Sequence, residues 1–268
     1  MTPAESTSGL KISLAAWSLH NAFFAKELDQ LGMLKTCAEL GIHGFELVNT
    51  FFPSPQYAYL RHVRKQADEQ GIELLLIMCD LEGDLGHPER DKRIQAAHNH
   101  RKWIDIAAVL GCHAIRVNAR GDESDPAAMH DRCAEALRPL LEYAGGAGVD
   151  VMIENHGGLS SDPDWLCSLM ELVKSPRLGT LPDFGNFPPE IDRYAAVEKL
   201  MRHAKAVSAK CYDFGADGNE TKIDFARMVQ IVESAGYKGH VGIEFEGERL
   251  GEREGIAACK ALLERLIA

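Results

Sequence analysis

The feature that most restricts the fold is a regular alternation of short apolar runs with longer amphipathic stretches along the whole chain. The runs occupy residues 11–17, 44–48, 73–79, 114–118, 149–154, 178–183, 206–210 and 240–245. Runs of this length suit buried strands, and helical patterns between them require parallel strands joined by crossovers. Successive runs start roughly 30 residues apart, the length of one βαβ step. Five of the helical stretches end on glycine, at Gly41, Gly71, Gly111, Gly148 and Gly236. Glycine in that place takes the left-handed conformation that stops a helix and turns the chain toward the next strand.

Eight such units fit an open doubly wound sheet or a closed barrel. The open sheet expects a glycine-rich phosphate loop after its first or a middle strand. Here the first run leads into Trp17-Ser18-Leu19-His20, and the sequence contains neither a Walker loop nor G-x-G-x-x-G. The expectation is therefore an α/β fold, a single (β/α)₈ TIM barrel. The 268 residues match the length of about 250 usual for that fold. With no Pro/Gly/Ser-rich linker to divide it, the chain reads as one domain over 1–268, with a polar N-terminal extension at 1–9.

Charge narrows the partners. Forty acidic against 29 basic residues give a net charge of -11, which repels polyanions and argues against nucleic acid; a small neutral or locally neutralised substrate fits better. The extension lacks the basic-then-apolar order of a signal peptide, and no window approaches the ~18 apolar residues of a membrane span. Seven scattered cysteines without a C-x-x-C pair read as free thiols in a reducing compartment, so the expected location is cytoplasmic.

In a barrel the functional groups sit at the C-terminal ends of the strands. Three late runs carry acids there: Glu154, Asp183, and the pair Glu244 and Glu246, which share one parity on their strand. Carboxylates that converge on one mouth repel each other unless they are protonated, paired with cations or bound to a metal. A hard ion such as Mn²⁺ or Mg²⁺ suits oxygen ligands of this kind.

The runs Val151-Met-Ile-Glu-Asn-His-Gly-Gly158, Leu181-Pro-Asp-Phe-Gly-Asn186, Val207-Ser-Ala-Lys210 and Gly239-His-Val-Gly-Ile-Glu-Phe-Glu-Gly247 resemble the xylose isomerase-like barrel superfamily. Within it the chain is similar to the sugar phosphate isomerase/epimerase branch, over nearly its whole length. The resemblance implies a divalent metal held by Glu154, Asp183 and Glu244 with a fourth ligand at position 208, and proton transfer by Glu154 and Glu244. Two positions depart from the family pattern. Members usually read His-x-Lys-Asp where this chain has Ser208-Ala209-Lys210-Cys211, and many read Asp-x-x-His where it has Asp183-Phe184-Gly185-Asn186. Serine is a poor ligand unless ionised, which leaves the fourth place to water, His156 or a substrate oxygen. Asn186 can hydrogen-bond a sugar hydroxyl but cannot take a proton.

Other polar groups are weaker candidates for substrate binding. His156 reads as a substrate contact or as a loop histidine bonded to backbone. Lys210 points inward, to neutralise the acids, stabilise an oxyanion or form a buried ion pair. Glu46 and Arg116, also inward, are candidates for the site and for pairing with each other. Trp17 and His20 end the first run and offer a sugar ring an apolar platform and a hydrogen bond. Phe51 and Phe52 either wall the pocket or pack. His98 and His100 lie on different faces of one helix and read as solvated, and residues 252–254 read as exposed surface.

The leading functional expectation is a metal-dependent isomerase or epimerase of a keto-sugar or sugar derivative, working through an enediolate. A lyase or dehydratase on a sugar derivative would use the same enolate chemistry. Type IV endonucleases share the superfamily but need several histidines, and the strand ends here supply too few. A non-catalytic carbohydrate-binding barrel with a degenerate metal site is the alternative outside catalysis. Relatives are often dimers or tetramers, which leaves a homo-oligomer open.

Overall fold

A computed structural model describes residues 9–268; the polar extension expected at 1–9 lies almost entirely outside the described residues. The eight strands are β1 Lys11–Ala15, β2 Gly44–Val48, β3 Glu73–Met78, β4 Ala114–Val117, β5 Asp150–Glu154, β6 Leu178–Leu181, β7 Val207–Cys211 and β8 His240–Phe245. Among the described residues nine α-helices accompany them: α1 His20–Phe24, α2 Gln30–Glu39, α3 Tyr57–Glu69, α4 Arg90–Leu110, α5 Pro126–Ala147, α6 Pro163–Val173, α7 Arg193–Leu200, α8 Phe225–Ser234 and α9 Glu252–Ile267. All strand pairings are parallel, in the order β6-β5-β4-β3-β2-β1-β8-β7.

The sheet closes between β6 and β7 through a few isolated bonds. Lys205 N–H donates to Thr180 O (3.0 Å), Ser208 N–H to Pro182 O (2.9 Å) and Phe184 N–H to Ser208 O (3.1 Å). The expected TIM barrel is thus the observed fold, and its seam sets Asp183 directly opposite Ser208.

The glycine expectation holds at all five joints, where φ lies between 66° and 78°. Strand ends differ from expectation in places. Pro182 lacks an N–H, so regular pairing in β6 stops at Leu181 rather than Asp183. The first strand stops at Ala15 because residues Ala16–Leu19 wind into a 3-10 turn. Buried Ser18 fixes that turn, donating from Oγ to Ile243 O (3.0 Å) and accepting from Phe245 N–H (2.9 Å).

The strands and the inner helix faces form one continuous apolar core. The seven cysteines are free thiols, six of them buried. No described helix is long and apolar enough to cross a membrane. His100, expected in solvent, is buried and bonds Ala96 O through Nδ1 (2.7 Å); it lies on the broad face of α4 that also buries Ala96, Trp103, Ala107 and Leu110. Glu252 is likewise not plain surface, since its carboxylate accepts from the N–H groups of Asn21 (2.7 Å) and Ala22 (3.2 Å) at the start of α1.

The loops after β3 and β4 zip together where Gly86 N–H donates to Arg120 O (2.7 Å). A Cβ on Gly121 would lie 2.4 Å from Gly86 O, too close for any side chain. Gly121→Ala is therefore expected to cost about 1–3 kcal/mol, read as a lower urea midpoint; an unchanged midpoint would mean that these loops separate freely.

Candidate active site

Closure of the barrel brings Glu154 from β5, Asp183 from the end of β6 and Glu244 from β8 together. Each offers an oxygen within 4.8 Å of the others, and all three are buried. Local sequence fixes each one. Asn155 faces away from Glu154 and clamps the next strand, donating Nδ2–H to Asp183 O (3.0 Å) and accepting from Asp183 N–H (2.7 Å). Asp183 Oδ1 accepts from the N–H groups of Gly185 (2.7 Å) and Asn186 (2.8 Å), and Oδ2 accepts from Ser208 Oγ (2.7 Å). Ser208 Oγ also lies 3.3 Å from Glu244 Oε2. The serine thus occupies the fourth corner of the cluster as a hydrogen-bond donor.

Two buried cations balance part of the charge. Lys210 Nζ lies 3.0 Å from Glu244 Oε1, 3.3 Å from Glu246 Oε2 and 3.0 Å from Asn186 Oδ1. Asn186 passes the link on, donating Nδ2–H to Glu154 Oε1 (3.0 Å). Arg116 does not pair with Glu46, contrary to expectation. Its Nη1–H reaches Asp80 (2.8 Å), and its Nε lies 2.9 Å from Glu154 Oε2. That last approach brings opposite charges together without hydrogen-bond alignment, and Glu154 Oε2 has no hydrogen-bond partner. Glu46 instead takes a hydrogen bond from Ser13 Oγ (2.6 Å). It sits against Gly242, where a Cβ would come 2.2 Å from its carboxylate. Strand alternation turns both side chains inward but leaves their level in the barrel open.

The carboxyls titrate differently because their surroundings differ. Burial pushes Glu154 well above the usual carboxylate range, with Glu244 and Asp183 adding to it against the pull of Arg116. Burial raises Asp183 to about 6 despite Lys210. Glu244 is equally buried, but the Lys210 ammonium outweighs that and holds it below its ordinary value. Glu46, raised mainly by burial, reaches about 7.

Above this floor opens a cavity of about 370 Å³. Trp17, Phe24, Met78 and Leu81 form an apolar side, and Arg116, Arg120, His156, Glu244 and Glu246 line the polar one. Trp17 Nε1–H donates to Glu246 Oε1 (2.5 Å). Its ring stacks with His20 (centroids 4.9 Å apart) and Phe51 (5.9 Å). His20 and Phe51 therefore back the platform, and Phe52 packs on Tyr59 and Trp103 away from it. A wider groove of about 780 Å³ along α3 has no converging groups of this kind, and its Arg64 pairs locally with Asp68.

Asp80, Asn155, Phe24 and Arg120 were not anticipated. Asp80 carried a usable signal, an acid just past a strand end like the other three. The remaining residues gave none, because their roles depend on neighbours in other strands.

The sequence model of a family described as xylose isomerase-like TIM barrel matches residues 34–265. Among solved structures, the chain is similar to 3-keto-D-glucoside 4-epimerase from E. coli, with 16% identity, 96% of this chain and 99% of that one covered, and a TM-score of 0.78. It is also similar to D-psicose 3-epimerase from Clostridium cellulolyticum H10, at 16% identity over 97% and 100% of the two chains, with a TM-score of 0.77. A sugar phosphate isomerase/epimerase from Parabacteroides distasonis gives 17% identity over 100% and 99%, with a TM-score of 0.74. At these identities the structural likeness carries the fold.

Proposed function

The chain belongs to the xylose isomerase-like TIM barrel family, and from that premise we propose that it is a divalent-metal-dependent isomerase or epimerase of a keto-sugar or sugar derivative. The observation that carries this reading is the buried trio Glu154, Asp183 and Glu244, whose oxygens converge within 4.8 Å. Glu154 Oε2 lacks a hydrogen-bond partner, and an all-oxygen set suits Mn²⁺ or Mg²⁺. The three carboxylates would hold the ion, which when bound would supply Lewis-acid polarisation of the sugar carbonyl.

The remaining work belongs to the chain's own groups. Glu154 and Glu244, from strands three apart, flank the carbon next to the carbonyl; one removes its proton and the other returns one. Asn186 orients the Glu154 carboxyl through Oε1. Lys210 keeps Glu244 charged and is placed to hold developing negative charge on oxygen. Trp17 lines the cavity and gives the sugar's apolar face a wall, and Glu246, fixed by Trp17 and Lys210, accepts from sugar hydroxyls.

A second reading, a sugar-binding barrel that needs no metal, draws on one observation. Ser208 and Lys210 already supply hydrogen-bond donors to the acids. Metal titration separates the two. Mn²⁺ at a hundredfold excess over its Kd is expected to stabilise the protein by about 2.7 kcal/mol, seen as a rise in Tm that Glu154→Gln loses. No bound metal and no rise with either Mn²⁺ or Mg²⁺ would sink the metal-dependent reading. Its catalytic half is tested by incubating the metal-loaded protein with free ketohexoses in D₂O and following C–H exchange and products by NMR; elimination products would identify a lyase instead.

A further inference from the structure

We propose that Arg120 and His156 form a subsite for an anionic group on the substrate, a carboxylate or a phosphate remote from the reacting carbons. The inference rests on the sugar reading above and narrows it to acidic sugar derivatives.

The cations of the mouth are not equivalent. Arg116 is engaged by Asp80 and Glu154, and Lys210 by Glu244 and Glu246. Arg120 lines the same cavity, yet among the described residues its guanidinium forms no ion pair. Its side-chain partner there is the His156 ring, with Nη2 3.2 Å from Nδ1. A guanidinium can only donate, so Nδ1 accepts and the neutral ring carries its proton on Nε2. Nε2–H and the remaining Arg120 N–H groups are then donors on one side of the cavity, and no described protein group accepts from them.

Both donors stand on fixed backbone. Arg120 O takes the Gly86 N–H (2.7 Å) at the tight Gly86–Gly121 crossing. His156 N–H donates to Ser160 Oγ (2.9 Å), and Gly157 N–H to Ser161 Oγ (2.9 Å). A planar fork with an adjacent N–H matches a carboxylate or a phosphate far better than a hydroxyl, which leaves the charge unmatched. The acids at the floor repel an anion, so its capture by Arg120 also fixes orientation, with the reacting carbons toward Glu154 and Glu244.

The test is calorimetric binding of glucitol, gluconate and glucitol 6-phosphate to the metal-loaded protein and to its Arg120→Gln and Arg120→Lys variants. In the unsubstituted protein gluconate or the phosphate is expected to bind about ten- to a hundredfold tighter than glucitol. Which of the two gains more tells carboxylate from phosphate. Arg120→Gln is expected to bring the ratio near one, and Arg120→Lys to restore part of it. Equal affinities for all three compounds, or a preference that survives in Arg120→Gln, overturns the subsite and leaves the sugar reading standing. Binding of none of the three overturns both.

Discussion

Glu154→Gln is expected to lower solvent-deuterium exchange into a ketose substrate by about 10²-fold or more, because it removes a positioned acid–base group, whose loss costs about 10²- to 10⁴-fold, together with one carboxylate of the proposed metal set. Gln keeps the size of the side chain, and its Oε1 can still accept from Asn186 Nδ2. Arg116 keeps Asp80 at 2.8 Å, so no buried cation is stranded. The fold should therefore survive, with polyol binding measurable by calorimetry. Loss of exchange with binding retained is the expected pattern. Exchange within about threefold of the original rate would show that Glu154 moves no proton.

The second large effect is on stability. Lys210 is 2% exposed and is the nearest cation to Glu244, at 3.0 Å. Lys210→Met keeps the aliphatic stem but removes the ammonium, leaving Glu244 and Asp183 as buried charges without their main partner. Breaking a buried pair from one side typically costs about 3–5 kcal/mol, and a loss of that size is expected in urea unfolding of the metal-free protein. Mn²⁺ should recover part of it, because the ion would take over neutralisation of the same carboxylates. A variant as stable as the parent would mean that the acids are protonated in the folded state and need no cation. Failure of Mn²⁺ to recover any stability would favour the metal-free barrel.

The barrel itself was legible in the sequence because its causes are local. Strand and helix periods lie within a few residues of each other, and the helix stops are single glycines whose left-handed φ follows from the missing Cβ. The positions of Glu154, Asp183 and Glu244 at strand ends follow from the same periods, so the strand pattern alone directs three acids to one mouth. Sequence also marked Ser208 as the odd residue of the set, through the likeness to the family pattern.

Partnership was another matter. Ser208 bonds Asp183 across the seam, Arg116 turns to Glu154 and Asp80 rather than Glu46, and Arg120 meets His156 from the neighbouring loop. Each of these pairs is separated by 25 to 38 residues. Alternation tells which way a side chain points, but its height in the barrel depends on the stagger between strands, and that is set only when the sheet closes. The sequence by itself therefore determined the strands, their order of appearance and the acids at their ends. The tertiary structure alone decided which charges meet, which are already satisfied and which, like Arg120, remain open to a ligand.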